Sequence, residues 1–492
     1  MTAQIRRRCV VPRKRKPDPF LFFGFRLSAL PHARPNDEEV AGVFWLHGQP
    51  AIQSLAPNSP YRFFQDIALQ ALLARASLDT VRPLHYGCGK PREVTMSLRG
   101  KAAIVGIGET PVDRLGSKPG EPRKSTAEYL AWASRIALED AGLTIKDLNR
   151  QGLAAIYTTN HSQPFWPEEV ASIVGFTPKV ALAGGNGGAS SVSVLGHSAA
   201  MIAGGVVDLV LVVAAAAPFS ERGRTRAEPM DTRDFEMPFG VMGPNCKISF
   251  VKSRYMYESG MTDDHFGKIA VTCRYHASLN PAAYLKKPMT VEDYKNSRLI
   301  SDPIRLFDCV LPANGGKAYI LASPQRARSL RKPPVWLLGW GERENPSAGP
   351  RYRANPLITG IAECAEDCFA MAGVTRKDIR CLNLYDDYIP IVMLQIEDLG
   401  FCKRNDREFF EKTDFTFKGD LPIQTSGGMI NCGQPSTAGG MLHVIETVRQ
   451  LRHEAGARQV PGIKFGIATG LGAVNYGKNF GCTAAAILGN EV

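Results

Sequence analysis

The stretch that decides the fold runs from Thr425 to Leu451, TSGGMINCGQPSTAGGMLHVIETVRQL. It is a compact run of small and polar residues that ends in a helix. Met441, Leu442, Val444, Ile445, Val448 and Leu451 recur at i, i+3, i+4, i+7 spacing and make one apolar stripe. Gly439 and Gly440 open that helix, with Ser436 and Thr437 as candidate N-caps. Open backbone N–H groups at a glycine-rich helix start suit a phosphate, a carboxylate or a thioester oxygen. Taken alone, the same pattern is an ordinary tight turn before an amphipathic helix. The rest of the chain argues for more.

Upstream, strands and helices alternate. Lys101–Ile107 is a short apolar run closed by Gly108-Glu109-Thr110-Pro111, a strand and a loop. From Ser125 an amphipathic helix runs to Gly142, with a capping residue in front and a glycine behind. Strands are expected at Leu153–Tyr157, Val180–Ala183 and Val206–Ala217, and a short helix at Trp166–Val174. Gly184–Gly205 is built from Ala, Ser, Gly and Val, so its helix is buried on all sides. This rhythm implies a layered α/β fold.

Residues 218–330 break the rhythm with more charge, aromatics and proline, and hold two expected helices near Ile248–Met261 and Asp264–Tyr275. They read as an insertion, at about residues 218–310, that covers one end of the sheet; Asp308 and Cys309 read as loop. The second half then repeats the first. PVWLLGWGE at Pro334–Glu342 answers KAAIVGIGE at Lys101–Glu109, and AGVTRKDI at Ala372–Ile379 answers AGLTIKDL at Ala141–Leu148. Two motifs in one order, each displaced by about 230 residues, indicate an internal duplication. The halves are placed at residues 96–330 and 331–492, leaving a site between their glycine-rich turns.

Composition narrows the class. The 492 residues, 44% hydrophobic, supply enough apolar surface for a large core. Eleven scattered cysteines without a CxxC pair fit a reducing cytoplasm and argue against a zinc ribbon or disulfide framework. No apolar run reaches the length of a membrane span. Of the net charge of +12, residues 1–95 carry +7, concentrated in Arg6–Arg8 and Arg13–Lys16. A nucleic-acid arm or a targeting peptide is one reading of that cluster. We favour instead a start at Met96, with residues 1–95 disordered or outside the true chain, and expect no nucleic-acid partner.

Residues Met96–Val492 resemble the thiolase superfamily, whose fold is duplicated α/β in five layers, α-β-α-β-α. The resemblance rests on GGASSVSVLGHSAAMIAGGVVDLVLVV, DCVLPANGGKAYIL, NLYDDYIPIVMLQIEDLGFC and GGMINCGQPSTAGGMLHVIETVRQLR, which are similar to the sterol-carrier-protein-X or lipid-transfer-protein branch. The departures bear on chemistry. Where thiolases carry a nucleophilic cysteine in a Cys-Ala-Ser-Gly turn, this chain has Gly188-Ala189-Ser190-Ser191. The Gly-His-Pro motif appears as Gly433-Gln434-Pro435, and the late Cys-x-Gly motif, near Ala468–Gly472, has no cysteine. Where thiolases place Asn-Glu-Ala-Phe, this chain has Tyr385-Asp386-Asp387-Tyr388, similar to thiolase-like aldolases that cleave steroid side-chain CoA thioesters.

The resemblance therefore implies C–C bond making or cleavage beside an acyl-CoA thioester, by retro-aldol or acyl transfer, without a covalent cysteine. Tyr385, Asp386 and Gln434 are the catalytic candidates; Gly188, Ser190, Gly427, Gly428, Cys432 and Gly440 are candidates for substrate contact. Tyr385 is expected to exchange a proton with a substrate hydroxyl, and donors around Gly427, Gly428 and Gln434 to polarise the thioester oxygen. Each has a plainer alternative: Tyr385 as a packed strand tyrosine, Gln434 as a turn residue, Cys432 as a buried structural cysteine, His197 as a core histidine. His443 shows no partner in sequence. No bound cofactor or metal is expected, with coenzyme A entering as substrate thioester. A homodimer and a small OB-fold, zinc-ribbon partner are implied by resemblance alone. The competing functions are a non-catalytic acyl-CoA or lipid-binding subunit and an ordinary thiolase that uses Cys432.

Overall fold

A computed structural model describes residues 44–46, 49–51, 97–150, 154–158, 165–184, 187–221, 232–344, 357–475 and 479–492. The chain divides into two units, Met1–Val94 and Thr95–Val492. In the first, Phe44–Leu46 pairs antiparallel with Gln49–Ala51; otherwise the expectation for residues 1–95 lies outside the described residues. Among the described residues no helix is long and apolar enough to cross a membrane.

In the second unit the elements follow in the order β1 (Ala103–Glu109), α1 (Thr126–Ala141), β2 (Ala154–Thr158), α2 (Trp166–Val174), β3 (Val180–Ala183), α3 (Ser190–Ala203) and β4 (Leu209–Ala216). The insertion carries α4 (Gly243–Ser259) and α5 (Asp263–Ser278), and β5 (Gly315–Ala322) closes the half. Then come β6 (Val335–Glu344), α6 (Ile361–Ala372), β7 (Ile379–Asn383), α7 (Ile389–Asp398), α8 (Met441–Leu451), β8 (Phe465–Asn475) and β9 (Asn479–Gly489). One nine-stranded sheet runs β7-β8-β9-β6-β1-β5-β4-β2-β3.

The duplication is written in that order. From β1 outward the pairings are antiparallel, antiparallel, parallel, through β5 and β4 to β2. From β6 outward they are the same, through β9 and β8 to β7. Within the sheet the halves are joined by β6 and β1, with Val335 opposite Ile104 and Trp336 opposite Ala103. Helix α1 covers β1, β5 and β4, and α6 covers β6 and β9, while α3 and α8 touch strands of both halves. Five layers result, with α3 in the middle; its burial, expected on every face, holds for Ser190–Gly196, whereas His197 is partly exposed and Ala203 exposed.

The repeated motifs have physical causes. A Cβ at Gly106 would lie 2.3 Å from the Ala137 carbonyl oxygen, and one at Gly108 2.2 Å from that of Ala133. Gly339 and Gly341 meet the Cys368 and Cys364 carbonyls of α6 in the same way. The shared GxGE is thus the track on which each outer helix lies flush against its strand. In the second motif, Gly142 and Gly373 end their helices in the left-handed conformation. Thr144 and Thr375 then form capping boxes with Asp147 and Asp378.

Two local expectations change. Ser436–Ala438 is a 3-10 turn and Gly440 is the N-cap of α8, with no side-chain cap. Asp308 is not a plain loop residue. It is fully buried and accepts from Lys252 Nζ at 2.9 Å, from Tyr294 Oη at 2.7 Å and from the Arg305 N–H at 2.8 Å. Lys252 on α4, also fully buried, donates in addition to the Pro303 carbonyl. A buried ion pair persists only when its remaining hydrogen bonds are satisfied, as here, and this one ties the insertion to the segment that leads into the site.

Candidate active site

Four chain segments converge at the carboxyl end of β7, one of them the Gly433–Gly440 turn that carries Gln434. The first is Tyr385–Tyr388 itself. The Tyr385 N–H donates to Thr469 Oγ1 at 2.9 Å, Thr469 Oγ1 donates to Gln395 Oε1 at 2.6 Å, and Gln395 Nε2 donates to the Tyr385 carbonyl at 2.7 Å. This closed ring, all of it buried, fixes the backbone of the tyrosine. The second segment is residues 309–314 from the inserted region. Cys309 bridges Tyr388, and Pro312 bridges Gln434. The Gln434 N–H donates to the Leu311 carbonyl at 2.7 Å, and its carbonyl accepts from the Ala313 N–H at 3.1 Å. The third is the 3-10 turn Gly187–Ala189 that begins α3.

The side chains form one short chain of hydrogen bonds. Tyr385 Oη donates to Asp387 Oδ2 at 2.9 Å, Gln434 Nε2 donates to Asp387 Oδ1 at 2.5 Å, and Gln434 Nε2 lies 3.5 Å from Tyr385 Oη. Burial, the adjacent Asp387 charge and its hydrogen bond raise the Tyr385 phenol well above its usual range. Burial also raises the Asp387 carboxyl, and Asp386 adds to the rise. Hydrogen bonds from Tyr385 and Gln434 oppose it, leaving the group at about 7. Tyr385 is nearly enclosed, whereas Asp387 and Gln434 keep partial exposure.

Gly188 stands directly against this group. A Cβ at that position would fall 2.2 Å from both Cζ and Oη of Tyr385, and 2.1 Å from the Leu471 carbonyl oxygen. The phenol thus fills the space that a side chain at position 188 would occupy. Gly440 adjoins it: a Cβ there would lie 3.0 Å from the Gly188 carbonyl oxygen and 3.3 Å from Tyr385 Cε2. Of the candidates from sequence, Tyr385, Gln434, Gly188 and Gly440 are therefore brought together.

The others are engaged elsewhere. Asp386 is fully buried and accepts from the Met429 and Ile430 N–H groups at 3.0 and 3.3 Å, with His443 Nε2 at 3.3 Å. It braces the Gly427–Cys432 turn, where a Cβ on Gly428 would come 1.9 Å from its Oδ2. The Gly427 N–H is spent on the Gln424 carbonyl and that of Gly428 on Ser426 Oγ. In this arrangement neither is open to polarise a thioester, contrary to the expectation from sequence. Ser190 Oγ donates to the Gly187 carbonyl at 2.7 Å. The buried Cys432 thiol donates to the Ser426 carbonyl at 3.2 Å, and burial pushes it up to about 12, a poor starting point for a thiolate. His197 is not enclosed: its side chain is 40% exposed, with Nε2 2.7 Å from Glu342.

Two residues of the site were not identified from sequence. Asp387 was in plain view, because an acidic residue stands where the resembled motif has alanine. His443 is buried beside Asp386 and edge-on to Tyr385, with ring centroids 6.1 Å apart. Nothing local in sequence pairs a residue on α8 with the segment that follows β7.

Comparisons with known proteins bear on the family and the fold. Residues 349–489 match the family model described as thiolase C-terminal domain-like. The chain is 32% identical over 377 residues to 17-hydroxy-3-oxo-4-pregnene-20-carboxyl-CoA lyase of Mycobacterium tuberculosis, covering 72% of this chain and 92% of that one. It is 32% identical to a steroid side-chain-cleaving aldolase of Thermomonospora curvata, covering 72% of this chain and 91% of the relative. A solved Ltp2-ChsH2(DUF35) aldolase superposes with a TM-score of 0.68 at 28% identity, over 80% of this chain and 98% of that chain. The chain belongs to the thiolase superfamily, in the branch that holds the steroid side-chain aldolases.

Proposed function

We propose that this protein is a thiolase-like lyase that cleaves, or in reverse forms, the Cα–Cβ bond of a β-hydroxyacyl-CoA thioester by retro-aldol chemistry, without a covalent cysteine intermediate. The observation that carries this reading is the Tyr385 phenol lying in the space required by a side chain at position 188. A site with a nucleophile there performs acyl transfer; a site with a phenol there performs proton transfer. Retro-aldol cleavage needs a group to manage the proton of the β-hydroxyl and a donor for the charge that develops on the thioester oxygen. Tyr385 supplies the first and the half-buried Gln434 amide the second.

The DUF35 protein in the related aldolase supports a small OB-fold, zinc-ribbon partner here as well. A homodimer is supported by β3, the last strand of the sheet. It pairs on one side with β2 and leaves Leu182 39% exposed, and a second copy can pair along such an edge. The nine described cysteines are free thiols, which fits a cytoplasmic setting.

The test is co-expression with a DUF35-type protein, then incubation of the complex with β-hydroxyacyl-CoA thioesters that carry a tertiary hydroxyl. Mass spectrometry should find a ketone and the correspondingly shortened acyl-CoA in equal amounts. Tight thioester binding without products would instead make the chain an acyl-CoA-binding subunit.

A further inference from the structure

We propose that Asp387 is the terminal proton acceptor of this site, taking the substrate's hydroxyl proton by way of the Tyr385 phenol and returning it after the carbon–carbon bond has broken. This rests on the lyase reading above and names the base that reading leaves open. A phenol held above its usual range is a poor base by itself, and Gln434 does not titrate. The group that can hold a proton is the carboxylate bonded to the phenol.

The two aspartates of the motif divide the work. Asp386 is fully enclosed, with two backbone N–H groups and His443 around it, so it has no route to a ligand. Asp387 accepts from one hydroxyl and one amide and keeps part of its surface open. The Gln434 side-chain amide, carried on a backbone held by the 311–313 segment, bonds Oδ1, while Oδ2 accepts from the phenol. A carboxylate held in this way needs little reorganisation to accept a proton.

The step balances. The substrate hydroxyl hydrogen-bonds to Tyr385 Oη. As Cα–Cβ breaks, its electron pair passes to the thioester as an enolate, and the Cβ–O bond becomes a carbonyl. The hydroxyl proton moves to Tyr385 Oη while the phenolic proton moves to Asp387 Oδ2. Return of that proton along the same path to the enolate α-carbon gives the shortened acyl-CoA and restores the carboxylate. No oxidant, metal or covalent adduct enters.

The pH dependence follows from the groups around Asp387. These are Asp386, Tyr385 and Tyr388 on its own segment, His443 from α8 behind Tyr385, and Cys309 from the inserted segment opposite Tyr388. Burial and Asp386 hold the Asp387 carboxyl up to about 7. Cleavage requires the ionised form, so kcat/KM rises with pH through the neutral range and levels above it.

The experiment compares wild type with Asp387→Asn in the partner complex, on a β-hydroxyacyl-CoA thioester, between about pH 5.5 and 8.5. The carboxamide can still accept from Tyr385, and a rotated Gln434 amide can accept from it, so the shape of the site is kept. The proposal expects kcat to fall about hundredfold or more with KM within about twofold, and the acid limb to vanish. Retention of activity within about threefold, or an unchanged limb in the variant, would overturn it. Should the variant fail to fold by circular dichroism, the wild-type profile decides: a limb near neutrality supports Asp387, and a flat profile removes it. A wild type that cleaves no thioester sinks the lyase reading and this assignment with it. A cleaving wild type with an active D387N sinks only the assignment.

Discussion

Adding one carbon at Gly188 tests the geometry most severely. In Gly188→Ala the new methyl would stand 2.2 Å from Tyr385 Cζ and Oη and 2.1 Å from the Leu471 carbonyl oxygen. Neither neighbour is the free end of a flexible chain. The ring is enclosed, and the carbonyl belongs to β8. Overpacking of this kind costs about 1–3 kcal/mol. Replacing the ring instead, Tyr385→Ala, leaves a cavity and costs about 3–5 kcal/mol. If the phenol and position 188 share one space, the two changes cannot add. In the Tyr385→Ala background the methyl enters the vacated volume. It regains about 1 kcal/mol of burial, offset by the clash with the Leu471 carbonyl that remains. The double-mutant cycle should therefore show a favourable coupling of about 1–3 kcal/mol. Urea unfolding of the four proteins measures it. Additive costs within about 0.5 kcal/mol would refute the shared space and, with it, the explanation of why a glycine stands at position 188.

Three further outcomes are expected. Glu109 is paired with Lys317 and, at 2.8 Å, with Arg449; burial raises its carboxyl, but the two cations outweigh that and hold it at about 2. Glu109→Gln strands the fully buried Lys317 and takes a partner from the partly buried Arg449, and should cost about 3–5 kcal/mol in urea unfolding. Because the folded value lies below the ordinary 4.5, the wild-type contribution is full above that pH and is lost as pH falls toward 2; the variant should lack this acid-dependent loss. Iodoacetamide at neutral pH should leave Cys432 unmodified by peptide mass spectrometry and cleavage intact, given its burial and raised thiol. A chain begun at Met96 should keep the oligomeric state of the full chain by light scattering and its circular dichroism per folded residue, since residues 95–492 form their own compact unit; an insoluble product would overturn that.

The fold was legible because its signals are local or repeated. Ser125 with Glu128, the glycine after each outer helix and the capping turns are contacts within four residues, and the GxGE tracks recur in both halves. The site was half legible for the opposite reason. Tyr385 and Gln434 lie in motifs that can be compared with a family, but their meeting depends on residues 309–314, which only the fold brings alongside. The open N–H groups expected at Gly427 and Gly428 are taken by Gln424 and Ser426, partners two or three residues away in a turn whose shape the sequence did not specify. Asp308 looked like loop because Lys252, its buried partner, lies more than fifty residues earlier. Asp386 drew attention as the family-matching acid, and Asp387, which faces the phenol, was passed over.

The most direct test of the central claim is the turnover of Tyr385→Phe beside wild type, in the partner complex, with the intact mass of the protein recorded during the reaction. Phenylalanine keeps the ring that fills the space at Gly188 and removes only the hydroxyl that bonds Asp387. A phenol-dependent lyase predicts cleavage lower by about a hundredfold or more, thioester binding retained, and no acyl-enzyme mass in either protein. Turnover within a few-fold of wild type, or an acylated wild-type chain during turnover, would contradict the account.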